Sequence, residues 1–322
     1  MNYRTVADIN ADTHELAKDL PRDIDLVVGI PRSGLLAANL LCLHLDVPMT
    51  DVESLCSGRI LDTGSRCGDR SLDAIDSVVV VDDSVLTGSQ MTETRRRLDE
   101  HDFPFDVHYS SVYISPRGHQ YVDYWSEVVD SPRVFEWNIL HHTRLDEFCV
   151  DIDGVLCRDP TREENDDGEN YREFLTEVEP NVVPSQEIGW LVTARLEKYR
   201  PETEAWLDRH GIEYDTLVML DLPDMETRRE RANHGQYKAD VYESTGASLF
   251  IESNHSQAAE ICSASDRPVY CYGTNEMLQP GLAGRSYRKG VDTAGEMRKN
   301  PVQVVAKAGR QALARCFHRV AR

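Results

Sequence analysis

The sequence predicts an α/β fold: two parallel-sheet domains followed by a basic C-terminal helix. Three observations carry this reading. A short apolar strand that ends in carboxylates occurs twice, as Val78 to Val81 before Asp82 and Asp83, and as Phe148 to Val150 before Asp151 and Asp153. Both apolar runs are continuous rather than alternating, and the first is entirely β-branched, which is how strands buried on both faces of a parallel sheet read. The chain has 322 residues, more than the roughly 250–300 at which a single core stops growing. The expected division is 1–144, 145–282 and a tail at 283–322.

In chain order, Ala11 to Leu20 has helical spacing and stops at Pro21. Ile24 to Ile30 reads as a strand, followed by Pro31-Arg32-Ser33-Gly34 and an apolar helix from Leu35 to Leu45. In that turn, backbone N–H groups of Ser33 and Gly34 and the Arg32 guanidinium suit a phosphate or pyrophosphate. An ordinary strand-to-helix turn with a surface arginine is the plainer alternative. A strand is expected near Pro48 to Val52, and Ser54 to Arg70, rich in Gly, Ser, Asp and Arg, reads as a mobile loop.

The strand at Val78 then delivers Asp82 and Asp83, and Thr87-Gly88-Ser89-Gln90 opens a helix. Ligands in open parallel sheets bind beyond the carboxyl ends of strands, and a helix N-terminus offers N–H groups and a positive dipole end to phosphate. The plainer alternative is an Asp-rich turn with a helix cap. Val107 to Ile114 is a further strand, and Tyr121 to Leu140 carries an aromatic cluster that includes Phe135 and Trp137.

Asp82 and Asp83 with Thr87 to Gln90 resemble the 5-phosphoribosyl-1-pyrophosphate (PRPP) signature of type I phosphoribosyltransferases. Ile30 to Gly34 resembles their pyrophosphate loop. The resemblance implies that Asp82 and Asp83 hold ribose hydroxyls, directly or through Mg²⁺. It implies that Thr87, Gly88, Ser89 and Gln90 cradle the 5-phosphate, and Arg32, Ser33 and Gly34 the pyrophosphate. Phe135 or Trp137 would stack on a base, with a hydrophobic seal as the alternative role. Two departures stand out: Leu86 occupies the place where many 6-oxopurine enzymes carry an Asp, and Gln90 that of a usual Thr.

In the second half, Asp151-Ile152-Asp153-Gly154-Val155 resembles the first motif of haloacid dehalogenase-like (HAD) phosphatases. Thr193, Lys238 and Glu252 follow at strand ends or in helical segments and resemble the second, third and fourth motifs. The resemblance implies a nucleophile at Asp151, a proton-transfer residue at Asp153, a phosphate-binding hydroxyl at Thr193 and a charge-offsetting Lys238. Mg²⁺ would sit among Asp151, Asp153 and Glu252. The intervening segment, with its run Glu163-Glu164-Asn165-Asp166-Asp167, is too small and polar for a large cap and reads as a solvated face. Both domains would then be Rossmann-like.

Composition narrows the function classes. Acidic residues number 56 against 35 basic ones, for a net charge of −21, so generic nucleic-acid binding is disfavoured. Only six basic residues are lysine, a balance expected of a salt-adapted, halophile-like cytosol. The eight cysteines are scattered without metal-ligand spacing. No signal core or membrane-length apolar run is evident, and the expected location is cytoplasmic. The tail holds ten arginines or lysines against Asp292 and Glu296. It is expected to form a helix that docks on the acidic body or a second subunit, or meets an anionic membrane or polymer.

The functional expectation is a bifunctional enzyme of nucleotide or sugar-phosphate metabolism, with PRPP-dependent transfer to a base or other acceptor and Mg²⁺-dependent phosphomonoester hydrolysis. The alternatives are a PRPP- or nucleotide-sensing domain regulating a phosphatase, favoured by Leu86, and a non-catalytic assembly protein of glycan or nucleotide metabolism.

Overall fold

The computed structural model of the chain describes residues 1–61, 72–224, 227 and 233–281. The expected basic C-terminal helix, and most of the loop expected at Ser54 to Arg70, lie outside the described residues. Two compact units are present, Met1–Trp137 and a second that begins at Asn138. Both are α/β with largely parallel sheets.

The first unit runs β1 (Asn2–Arg4), α1 (Val6–Asp19), β2 (Leu26–Gly29), α2 (Gly34–Leu45), β3 (Met49–Asp51), α3 (Val52–Cys56), β4 (Ser77–Val85), α4 (Ser89–Asp99), β5 (Asp106–Ile114), β6 (Tyr124–Val128) and β7 (Arg133–Phe135). Its five-stranded parallel sheet has the order β3-β2-β4-β5-β6. The chain leaves β2 towards β3, then returns beside β2 as β4 and continues outward on that side. The crevice between the ends of β2 and β4 is therefore the topological switch point, where open sheets bind ligands.

Val78 to Val81 of β4 are fully buried, each contributing about 1.5–3 kcal/mol of apolar burial. Val79 and Val81 pack on the α1 and α2 side, and Val78 and Val80 face the cluster with Met91 and Leu98 of α4. That two-sided burial explains the continuous apolar run. β1 and β7 pair in a separate two-stranded parallel sheet, which the local pattern did not announce.

The second unit runs β8 (Phe148–Val150), α5 (Glu169–Glu177), β9 (Ile188–Leu196), α6 (Arg200–Arg209), β10 (Tyr214–Leu220), α7 (His234–Ser244), β11 (Leu249–Glu252), α8 (His255–Ser265), β12 (Val269–Cys271) and β13 (Glu276–Leu278). The sheet order is β10-β9-β8-β11-β12-β13, with only the β12–β13 pair antiparallel. The chain moves from β8 out to β10 and returns on the other side of β8 as β11, so here the switch point lies between β8 and β11.

The acidic run between β8 and α5 is more engaged than a plain solvated face. Asp167 accepts a bond from the Tyr199 hydroxyl at 2.8 Å and pairs with Lys198 at 2.9 Å. Cys42, Cys56, Cys149, Cys157, Cys262 and Cys271 are free thiols. No helix among the described residues is long and apolar enough to cross a membrane.

Candidate functional site

At the first switch point, the turn after β2 meets the end of β4. Asp82 and Asp83 lie inside β4 rather than beyond it, with Asp82 in register with Ser111 of β5. Both are buried. Asp83 is held from two sides: the Ser33 hydroxyl donates to Oδ1 at 2.8 Å, and the Trp137 indole N–H donates to Oδ2 at 2.8 Å. The Asp83 N–H donates in turn to Asp82 Oδ1 at 2.9 Å. Burial, reinforced by the neighbouring Asp83 charge, raises the pKa of Asp82 well above its ordinary value.

Gly34 starts α2 against this pair. A Cβ at residue 34 would lie 2.9 Å from Asp82 Oδ1 and 3.0 Å from the Val81 carbonyl oxygen, so only glycine permits the approach. Arg133 of β7 donates from Nη2 to Ser84 Oγ at 3.1 Å. Its burial lowers its pKa, against the opposing pull of Asp83 and Asp82.

The Thr87–Gln90 turn is exposed apart from Gly88. Gly88 has φ +80° and caps α4 without a side-chain bond, and the Thr87 and Ser89 hydroxyls lie 3.0 Å apart. The start of α4 thus presents N–H groups, hydroxyls and a positive dipole end together, an arrangement suited to phosphate. Ser33, Gly34, Asp82 and Asp83 are brought together. Arg32 stays exposed outside that bonded group, and Leu86 is 52 % exposed.

Of the two roles expected for Phe135, base stacking or a hydrophobic seal, its burial fits the apolar one. Phe135 is only 5 % exposed and belongs to the core cluster. Its ring stacks on Tyr113 at 5.5 Å and on Trp137 at 4.8 Å. Trp137 is in turn committed to Asp83, a tie that apolar spacing could not reveal.

At the second switch point, Asp151 follows β8, Glu252 ends β11 and Lys238 projects from α7. Lys238 Nζ donates to Asp151 Oδ2 at 2.7 Å and to Glu252 Oε2 at 2.6 Å, and all three side chains are buried. Burial opposes the Lys238 ammonium, but the charges of Asp151 and Glu252 outweigh it and raise its pKa. Burial raises that of Asp151, against the pull of Lys238.

Thr193 is fully buried within β9, which continues past it to Leu196, and its Oγ1 accepts the Arg195 N–H at 3.2 Å. The strand-end position expected for Thr193 is corrected accordingly. Arg195 is the residue that motif reading missed. Its buried guanidinium reaches Asp153 with Nη2 at 2.6 Å and Nε at 3.2 Å, and also contacts Thr203 and Cys157.

Of the three carboxylates expected to hold Mg²⁺, Asp153 is ion-paired with Arg195. Among the described residues no group of three acidic, histidine or cysteine side chains is placed to hold a metal. The Asp153 carboxylate is directed to Arg195, leaving Asp151 and Glu252 as the paired oxygen donors. Such a pair fits Mg²⁺, which is commonly held by one or two carboxylates plus substrate phosphate. Asp82 and Asp83 offer the same hard-oxygen chemistry in the first unit.

The first unit is thus, by fold and site, a parallel-sheet α/β domain with a buried acid pair and a phosphate-suited turn at its switch point. Comparison with known proteins is specific on this part of the chain. Xanthine-guanine phosphoribosyltransferase of Chromohalobacter salexigens is 31% identical over 135 residues, covering 41% of this chain and 78% of the relative. The chain belongs to the phosphoribosyltransferase family through this N-terminal portion.

Among solved structures, a xanthine-guanine-hypoxanthine phosphoribosyltransferase of Helicobacter pylori is similar at TM-score 0.34 and 16% identity, covering 42% of this chain and 92% of that one. A purine phosphoribosyltransferase of Pyrococcus horikoshii is similar at TM-score 0.32 and 23% identity, with the same 42% and 92% coverage. No family model matches the chain.

Proposed function

We propose that the first unit transfers the phosphoribosyl group of PRPP to a purine base, releasing pyrophosphate. The observation that carries this reading is the junction of the two motif regions at one switch point, where Ser33 of the β2 turn bonds Asp83 of β4. The similarity to the xanthine-guanine phosphoribosyltransferase of Chromohalobacter supports a purine acceptor.

In this reading Asp82 and Asp83 face the ribose hydroxyls, Thr87 to Gln90 the 5-phosphate, and the Arg32–Gly34 turn the pyrophosphate. Cleavage of the anomeric C–O bond builds positive charge on the sugar and negative charge on the leaving group. The fixed N–H donors and Arg32 would stabilise the latter. Mg²⁺, held by the acid pair and the substrate, would supply further charge neutralisation.

The second unit is proposed to be a HAD-like phosphatase. The Lys238 bridge between Asp151 and Glu252 supports this, because it concentrates a cation and two acids at the switch point. Asp151 would attack phosphorus, forming a carboxylate O–P bond as the ester P–O bond breaks, and water would then cleave the aspartyl phosphate. Lys238 offsets charge between Asp151 and the incoming phosphate. Asp153, oriented by Arg195, would handle the proton. Mg²⁺ on Asp151 and Glu252 would supply charge neutralisation.

Incubation of the chain with PRPP, Mg²⁺ and single purine bases should release pyrophosphate and yield a nucleotide of the expected mass. A phosphomonoester panel should release phosphate in wild type and not in Asp151→Asn. Absence of both products from wild type would overturn both readings. A second reading of the first unit, as a PRPP sensor, is favoured by Leu86, which places an exposed apolar side chain where an acid would assist the base. PRPP binding without turnover of any base would select it.

A further inference from the structure

Trp137 has an unusual combination of attachments. Its ring is stacked on Phe135, which stacks on Tyr113, so the indole plane is fixed by a three-ring column. From that column its N–H reaches Asp83 Oδ2 at 2.8 Å, while Ser33 occupies Oδ1 at the same distance. The two donors are far apart in the unit's sequence, one from the turn after β2 and one from the segment that follows β7. A carboxylate tied at both oxygens loses rotational freedom about its side chain, which preorganises it for a ligand.

We infer that Trp137 is a positioning residue for PRPP, holding Asp83 in the orientation that receives the ribose hydroxyls. This inference rests on the transferase reading of the first unit. It separates two roles that an aromatic near a purine site could have, because a stacking platform acts through its face whereas Trp137 acts through its edge. It also links the two loops: Ser33 belongs to the turn assigned to pyrophosphate, so one carboxylate couples that turn to the ribose end of PRPP.

Trp137→Phe keeps the ring column and removes only the N–H donor. It should raise the KM for PRPP, or its Kd, about tenfold to a hundredfold, the range for losing a bond to a charged group. kcat and the melting temperature should change little. Ser33→Ala should act in the same direction. In an Asp83→Ala background, Trp137→Phe should add less than about a twofold effect, because the partner is already gone.

A second measurement does not depend on substrate. The chain has four tryptophans, so a ¹⁵N-tryptophan-labelled sample gives a small set of indole N–H resonances, and Trp137→Phe identifies one by its loss. Asp83→Ala should shift that resonance far more than the other three. Equal loss from Trp137→Phe in both backgrounds, or an indole resonance indifferent to Asp83→Ala, would overturn the inference. Wild-type protein that binds no PRPP would instead overturn the transferase reading, and with it the proposed role in PRPP binding. The resonance shift would still decide whether Trp137 holds Asp83.

Discussion

Lys238 Nζ lies 2.7 Å from Asp151 Oδ2, joining a helix residue to a strand-end residue 87 positions away in sequence. Glu252 completes the bridge at 2.6 Å. Removing the cation leaves two buried carboxylates facing one another without a counter-charge. Lys238→Met should therefore destabilise the second unit by about 3–5 kcal/mol and abolish phosphate release. Urea unfolding measures the first effect. The triple variant Lys238→Met, Asp151→Asn, Glu252→Gln should recover much of the stability and none of the activity. A single variant as stable as wild type would refute the charge-bridge account.

Arg195 makes a different test, because it touches Asp153 rather than Asp151. Arg195→Lys keeps a positive charge but loses the planar fork that meets the carboxylate with both Nε and Nη2. Misplacement of a proton-transfer group by about 1 Å costs on the order of 100-fold in rate. The expected outcome is a fall of that size in kcat for phosphate release, with KM little altered. Unchanged kcat across the pH range would remove Arg195 from the mechanism.

What the sequence made legible follows physical range. The β4 valines and the carboxylates after them are local features, and the strand-turn-helix order around Ser33 and Thr87 could be read from neighbours a few residues apart. Long-range choices could not. Nothing in residues 133–135 signals that they pair with Asn2–Arg4. Phe135 and Trp137 look alike in composition, yet one is a core ring and the other a hydrogen-bond donor to Asp83. Arg195 stood two positions beyond Thr193 in a motif read for its hydroxyl, and only its burial against Asp153 reveals its part. The Asp153 carboxylate is a related case: its spacing from Asp151 is local, whereas its ion pair with Arg195 is not.

The raised pKa of Asp82 sets a pH dependence whose sign can be worked out. Burial, then the Asp83 charge, favours the protonated carboxyl in the folded state. That group's contribution to stability is fully present below its ordinary value of 3.8 and is lost as pH rises through the higher folded value. Asp82→Asn removes the penalty on the charged form. Its melting temperature should exceed that of wild type at pH 7 to 8, and the gain should fade towards pH 3 to 4. PRPP affinity should fall in the same variant. A melting gain that is equal at all pH values would sink the assignment to Asp82 ionisation.

Gly88 offers a test of the phosphate turn that separates backbone from packing. Its φ of +80° lies in the left-handed region, where a Cβ costs about 1–2 kcal/mol. A Cβ there would also come within 2.3 Å of the Tyr121 ring, so that the ring or the turn must shift. Gly88→Ala should destabilise the first unit by about 2–4 kcal/mol when both terms act. It should also weaken PRPP binding, by rotating the N–H groups at the start of α4. Adding Tyr121→Ala removes the steric term and leaves the backbone term, provided the loss of the Tyr121 ring is measured separately in Tyr121→Ala alone. If the double variant regains stability relative to that reference but not PRPP affinity, the left-handed backbone at residue 88 shapes the phosphate turn. If affinity returns with stability, packing against Tyr121 shapes it instead.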